Sequence, residues 1–256
     1  MPDVGRLADE PDPTASTPLP APSDTPNPVL PATPPPSAGA SGPTSARVGI
    51  GILLLITSLC VGIEAALLFS DWGWIGHGRL RRLAYAYGGF WPGLLRGWQP
   101  NFLAQPVSMF ATYGFLHGGV LHLGFNMATL WSLGRPLIET GGPRRFVILW
   151  AASQIMGGVG YAALSSQPQP MVGASGALFG LAGGWLASAW NAAVNDRQTH
   201  FGVIRVMVAL VGLNVLMMIF TQGQLAWQAH LGGFIGGWVA ALVTRLPQPA
   251  SLSAAR

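Results

Sequence analysis

Residues 173–190 read Gly-Ala-Ser-Gly-Ala-Leu-Phe-Gly-Leu-Ala-Gly-Gly-Trp-Leu-Ala-Ser-Ala-Trp, without a single charge. At about 1.5 Å per residue such a helix covers nearly the thickness of a hydrocarbon core. Its slight shortfall suits a helix that begins below the membrane surface. Ser175 stands at that beginning, flanked by Gly173 and Gly176. Polar side chains at membrane depth cost free energy and usually mark function. The segment therefore predicts both a membrane helix and a candidate site.

Working outward, five more apolar segments make six spans, at 48–69, 120–138, 146–164, 173–190, 203–220 and 227–245. Composition agrees. Of 256 residues, 50% are hydrophobic and only 9% charged, against roughly a quarter charged in soluble domains. The fold class expected is an all-α integral membrane protein. The 13 basic residues are all arginine, which we read as genomic bias. They lie scattered between apolar runs, so the formal charge of +4 argues for membrane orientation and not for nucleic acid.

Residues 1–46 are rich in Pro, Ala, Ser and Thr, lack apolar periodicity and are expected to be a disordered tail. Asp3, Asp9, Glu10, Asp12 and Asp24 outnumber Arg6 and Arg47, unlike a mitochondrial presequence, and no secretory signal pattern is read there. The membrane domain is expected over 47–246, with a short tail at 247–256. The long connection 70–119 carries Trp72, Trp74, Trp91, Trp98, Arg79, Arg81, Arg82 and Arg96, a composition suited to the headgroup layer. The short outer loops 165–172 and 221–226 hold no arginine. Arg47, Arg135, Arg144, Arg145, Arg197, Arg205 and Arg245 fall on the opposite side, which predicts cytoplasmic termini.

That orientation brings Ser175, His122 and His230 to one depth near the outer face. Ser plus His is a nucleophile plus its base. Ser175 opens a helix, where unpaired N–H groups and the dipole favour a developing anion. His230 precedes Gly233 and Gly237, a GxxxG pair that permits close approach to a neighbouring helix. His122 and Asn126, four residues apart, share one helix face and can donate hydrogen bonds to one point, as an oxyanion requires. The acids beyond the tail are Glu64, Asp71, Glu139 and Asp196, and none has a compelling claim to orient the imidazole. A Ser-His dyad is therefore expected, with Phe179, one turn after Ser175, stacking on His230.

No metal or other cofactor is expected. HExxH is absent, His117 sits about 140° around the helix from His122, and the lone Cys60 excludes an intrachain disulfide. His117 is given a structural role. The fifth span, with Asn214, Met217 and Met218, is a candidate moving part.

The chain resembles the rhomboid intramembrane serine proteases over about residues 48–245. The matching motifs are His117-x4-His122-x3-Asn126, Gly173-Ala174-Ser175-Gly176, and Ala229-His230 followed by Gly233-x3-Gly237. The resemblance implies a six-helix rhomboid bundle with an outward-opening, water-accessible cavity. It further implies a Ser175–His230 dyad, and an oxyanion site formed by His122, Asn126 and the Ser175 N–H. Membrane lipid surrounds such a bundle, and transmembrane proteins are its substrates. A bacterial cytoplasmic membrane is the expected location; oligomeric state stays open. Two departures stand out. Ser108 and Met109 occupy positions where many relatives have Trp-Arg, which bears on how the first loop docks. Phe179 replaces a frequent Tyr, keeping the stacking and losing a hydroxyl. A non-catalytic relative that binds membrane segments is the alternative, and a small-solute transporter a second one. Transporters often carry internal repeats, and none is convincing here.

Overall fold

The computed structural model describes residues 43–193, 196–220 and 222–244. The expected tails lie outside this range except for residues 43–46, which are helical. The first helix, α1, spans Pro43–Asp71. It is followed by α2 (Leu80–Gly88), α3 (Gln105–Thr112), α4 (Val120–Leu164), α5 (Ser175–Ala192), α6 (Arg197–Phe220) and α7 (Trp227–Thr244). Among the described residues the only extended pairing is an isolated antiparallel bridge, Phe90 to Met171. The chain is an all-α integral membrane protein.

By length and apolarity three helices can cross a bilayer: 44–71, 120–164 and 197–219. The second has 45 residues, about twice what one crossing needs at 1.5 Å per residue. Gly142, at φ 80 and ψ 163, breaks it into two arms. Those arms correspond to the expected second and third spans. The residues between them, expected as a connection, are helical up to the break, and Pro143 then starts the second arm without needing an N–H partner. The other two expected spans are α5 and α7, each 18 residues. They fall short of the hydropathy of the other three because glycines replace large side chains and Asn191, Gln228 and His230 lie within them.

The reason lies in packing. The second arm of α4, α5 and α7 form the tightest part of the bundle. A Cβ on Gly233 would run into the carbonyl of Gly176, and one on Gly237 into that of Gly180. The GxxxG pair therefore seats α7 on the first turns of α5. Large side chains fill the space towards α1 and the first arm of α4, where Leu53, Leu130, Ile138, Phe146, Leu149 and Leu181 are fully buried. By contrast only 6% of the most apolar window of α6 is buried by protein. That helix begins six residues before the expected span. Asp196 accepts the Gln198 N–H at 3.0 Å and the Thr199 hydroxyl at 2.6 Å, a helix-start pattern.

The connection 72–119 is folded and docked. Arg81 clasps it to α1 by ion pairs with Glu64 at 2.8 Å and Asp71 at 2.6 Å. Burial alone would lower the Arg81 pKa, but hydrogen bonds to Glu64, Tyr85 and Asp71 raise it above the ordinary range. Arg96 donates to the carbonyls of Ala162 and Ser165 at the end of α4. Met109, at one of the positions where the sequence departs from relatives, is fully buried with Phe90, Tyr113, Tyr161, Met171 and Ala229. An apolar cluster thus seats the loop. Trp72, Trp74 and Trp98 remain about half exposed or more.

Candidate active site

Four polar side chains from four helix segments meet at one end of the bundle. Ser175 is the first residue of α5, and His230 the fourth of α7. His122 is the third residue of α4, and Asn214 lies in the last third of the antiparallel α6. The arginines that flank the breaks between helices, Arg144, Arg145 and Arg197, belong to the opposite end. Ser175, His122, Phe179 and Asn214 each keep partial exposure, whereas His230 is 6% exposed.

The serine and the imidazole touch. His230 Nε2 lies 2.8 Å from Ser175 Oγ. The close crossing of α5 and α7 makes this distance possible, since α7 rests with Gly233 against the backbone of Gly176. The Phe179 ring lies parallel to the imidazole, with centroids 4.2 Å apart and planes 7° apart. This is the stacking expected from the sequence.

The other imidazole nitrogen has a partner that the sequence analysis did not assign. His230 Nδ1 lies 2.6 Å from Asn214 Oδ1. Asn214 Nδ2 donates to the Leu210 carbonyl at 2.9 Å. The amide orientation follows, because exchanging its oxygen and nitrogen would set oxygen against oxygen. Nδ1 of His230 must then carry the proton. Nε2 keeps a lone pair aimed at the serine hydroxyl, which is the tautomer a general base needs. The available signal was a lone asparagine in an otherwise apolar segment. What it lacked was the depth match between α6 and α7.

The carboxylates are elsewhere. Glu64 is 1% exposed and paired with Arg81. Glu139 pairs with Arg135 at 2.8 Å on the surface, and Asp196 caps α6. Among the described residues no group of three His, Cys, Asp or Glu side chains could hold a metal.

His122 Nδ1 accepts the Gly118 N–H at 3.2 Å, so its proton sits on Nε2. That nitrogen lies 3.0 Å from where a Cβ on Gly173 would stand, and Ser175 Oγ lies 3.8 Å from the same point. Gly173 has φ +126, a conformation natural only to glycine. Its missing side chain leaves a space bounded by a hydroxyl and an N–H donor. The first amides of α5 have no carbonyl a turn earlier to bond. Asn126 is 4% exposed. Its Nδ2 donates one proton to the His122 carbonyl at 2.7 Å, which leaves the second for another acceptor.

His117 is fully buried and its backbone does structural duty. Its carbonyl accepts hydrogen bonds from Tyr85 at 2.7 Å and Arg81 at 3.1 Å. Burial, then the neighbouring His122, pushes its imidazole pKa down to about 4. The two rings meet edge to face at 5.3 Å.

Comparison with known proteins bears on this constellation. A family model described as the Rhomboid domain matches residues 104–247. Rhomboid protease GluP of Bacillus subtilis is 33% identical over 133 residues, covering 52% of this chain and 25% of that protein. RHOMBOID-like protein 4 of Arabidopsis thaliana is 34% identical over 132 residues, 50% of this chain and 32% of its own length. The putative rhomboid protease YdcA of Bacillus subtilis is 32% identical over 124 residues, 48% of this chain and 60% of its own. The chain thus spans less than two thirds of each of these curated relatives.

Proposed function

The chain belongs to the rhomboid family, and from that membership we propose that it is an intramembrane serine endopeptidase. It hydrolyses peptide bonds in or near transmembrane segments of other membrane proteins. The observation that carries this reading is the 2.8 Å contact between Ser175 Oγ and His230 Nε2, at the protein end where helix starts converge.

Ser175 Oγ attacks the scissile carbonyl carbon while His230 Nε2 takes its proton. The tetrahedral oxyanion forms in the space above Gly173. There the His122 Nε2–H, the Ser175 amide and the second Asn126 N–H donate to it. His230 then gives its proton to the leaving amine, and the acyl-enzyme remains on Ser175. In the second half His230 takes a proton from water, hydroxide adds to the acyl carbon, and the carboxylic product leaves as Ser175 regains its proton. A substrate helix hides its carbonyls in hydrogen bonds, so the cut segment must unwind near this end, helped by Gly, Pro or other small residues.

The arginine distribution supports placing the site near the outer face, with both termini in the cytoplasm of a bacterial cell. The alternative, a rhomboid relative that binds membrane segments without cutting them, has no use for a serine hydroxyl held against an imidazole lone pair. A fluorophosphonate probe separates the two. Labelling of the wild type that disappears in Ser175→Ala is the expected result, together with loss of cleavage of a reporter membrane segment in His230→Ala. Folded wild type that takes no label favours the binding protein.

A further inference from the structure

We propose that Asn214 is a positioning residue for His230, fixing both its tautomer and its in-plane rotation. The proposal rests on the protease reading above for its functional consequence, but not for its geometric content.

The imidazole has two constraints and needs both. The stack on Phe179 fixes the plane of the ring. A stacked ring still turns within its plane and still exchanges its proton between nitrogens. The hydrogen bond from Nδ1 to Asn214 Oδ1 removes both freedoms, because only one ring orientation satisfies it and only one nitrogen carries the proton in it. The Asn214 amide is itself held by the Leu210 carbonyl one turn earlier on α6. The chain Leu210 carbonyl, Asn214 amide, His230 imidazole, Ser175 hydroxyl is therefore directional from end to end.

A neutral amide suits this place. A carboxylate carried on a helix that lipid surrounds so fully would have to be desolvated, whereas an amide orients the ring without a net charge. It offers the imidazolium formed during attack only a dipole. Asn214 thus acts mainly on the orientation of the base. Of the three long apolar helices α6 is the least covered by protein, so the alignment of the base depends on α6 being docked.

The test uses the full chain in detergent and in proteoliposomes, with a fluorogenic membrane-segment reporter and 15N-labelled histidine. Asn214→Leu removes the acceptor, and Asn214→Asp keeps an oxygen facing Nδ1. In Asn214→Leu kcat is expected to fall about 10- to 100-fold, the scale of a misplaced catalytic group, with KM and melting temperature close to wild type. Asn214→Asp recovers most of the loss. The 15N spectrum of His230, assigned by its disappearance in His230→Gln, shows a single Nδ1–H tautomer in the wild type and a mixture in Asn214→Leu. Wild-type kcat in Asn214→Leu, or an unchanged single tautomer, overturns the proposal. If Asn214→Leu does not fold, Asn214→Ala and the wild-type tautomer decide: an Nε2–H tautomer in the wild type refutes the assignment. A wild type that neither cleaves nor takes the fluorophosphonate would sink the protease reading, and the tautomer measurement would still judge the role of Asn214.

Discussion

Arg81→Ala tests how the connection between α1 and α4 is held in place beside the site. Glu64 has its side chain 2% exposed and Arg81 20%, with 2.8 Å between Nη2 and Oε1. At an effective dielectric of 20 the gross attraction at that distance is roughly 6 kcal/mol. Desolvation of both groups takes back much of it, so the pair itself contributes little net. Removing one partner is a different matter: it strands a charge and costs about 3–5 kcal/mol. Asp71, whose side chain is 35% exposed, adds little. Arg81→Ala is therefore expected to lower unfolding stability by about that amount. Arg81→Ala/Glu64→Gln is expected to be more stable than Arg81→Ala, because no charge is left buried. The readout is reversible denaturant unfolding in mixed micelles as a double-mutant cycle with Glu64→Gln. The reasoning also requires an effect on turnover, since Arg81 and Tyr85 both hold the His117 carbonyl, just before the helix that carries His122. An Arg81→Ala protein within about 1 kcal/mol of wild type, or a cycle with zero coupling, would refute the clasp.

Other expectations follow from single contacts. His122→Leu removes one oxyanion donor and should lower kcat by about 10²–10³ with little change in KM; wild-type turnover would remove His122 from the site. Gly237→Val drives a side chain into the Gly180 backbone and should destabilise the bundle by about 3 kcal/mol or more. Gly51→Ala, with nothing within 4 Å of its Cβ position, should be neutral or stabilising; equal losses in the two variants would mean that helix propensity, not the crossing, is being measured. His117 is held neutral, its pKa pushed down to about 4. Between its unfolded value of about 6.5 and 4 the unfolded chain binds a proton that the folded one does not, so its contribution is full above pH 6.5 and shrinks as pH falls. Melting temperatures across that window should fall more steeply for wild type than for His117→Gln, and parallel slopes would contradict the assignment.

What the sequence made legible follows the physics of each signal. Hydropathy sums over a whole crossing, so the long apolar helices were visible; α5 and α7, which fall below the hydropathy of the other three, were legible instead as uncharged runs of the right length. Residues at shared depth were visible too, because helices that alternate in direction bring the starts of every second one to the same end. That is why Ser175, His230 and His122 could be grouped before any coordinates. Periodicity alone does not give side-chain torsions: His122 and Asn126 share a face as expected, yet Asn126 spends one donor on the His122 carbonyl. Periodicity is also blind to partners without charge. The four acids beyond the tail are the obvious candidates to orient His230, since a carboxylate is the usual orienting partner in aqueous enzymes. In lipid the cost of a buried charge reverses that preference, and the orienting candidate is an amide. Asn214 is legible as a polar residue in the fifth span, but which side chain it meets depends on α6 running antiparallel at the right depth, which is tertiary information. The same holds for Met109, whose burial with Phe90 and Tyr113 lets apolar contacts seat the loop. Ser175, His122, Asn126 and His230 announced themselves because polar groups are expensive in a membrane; Asn214 is expensive too, and what the sequence withheld was only which side chain its helix brings it to.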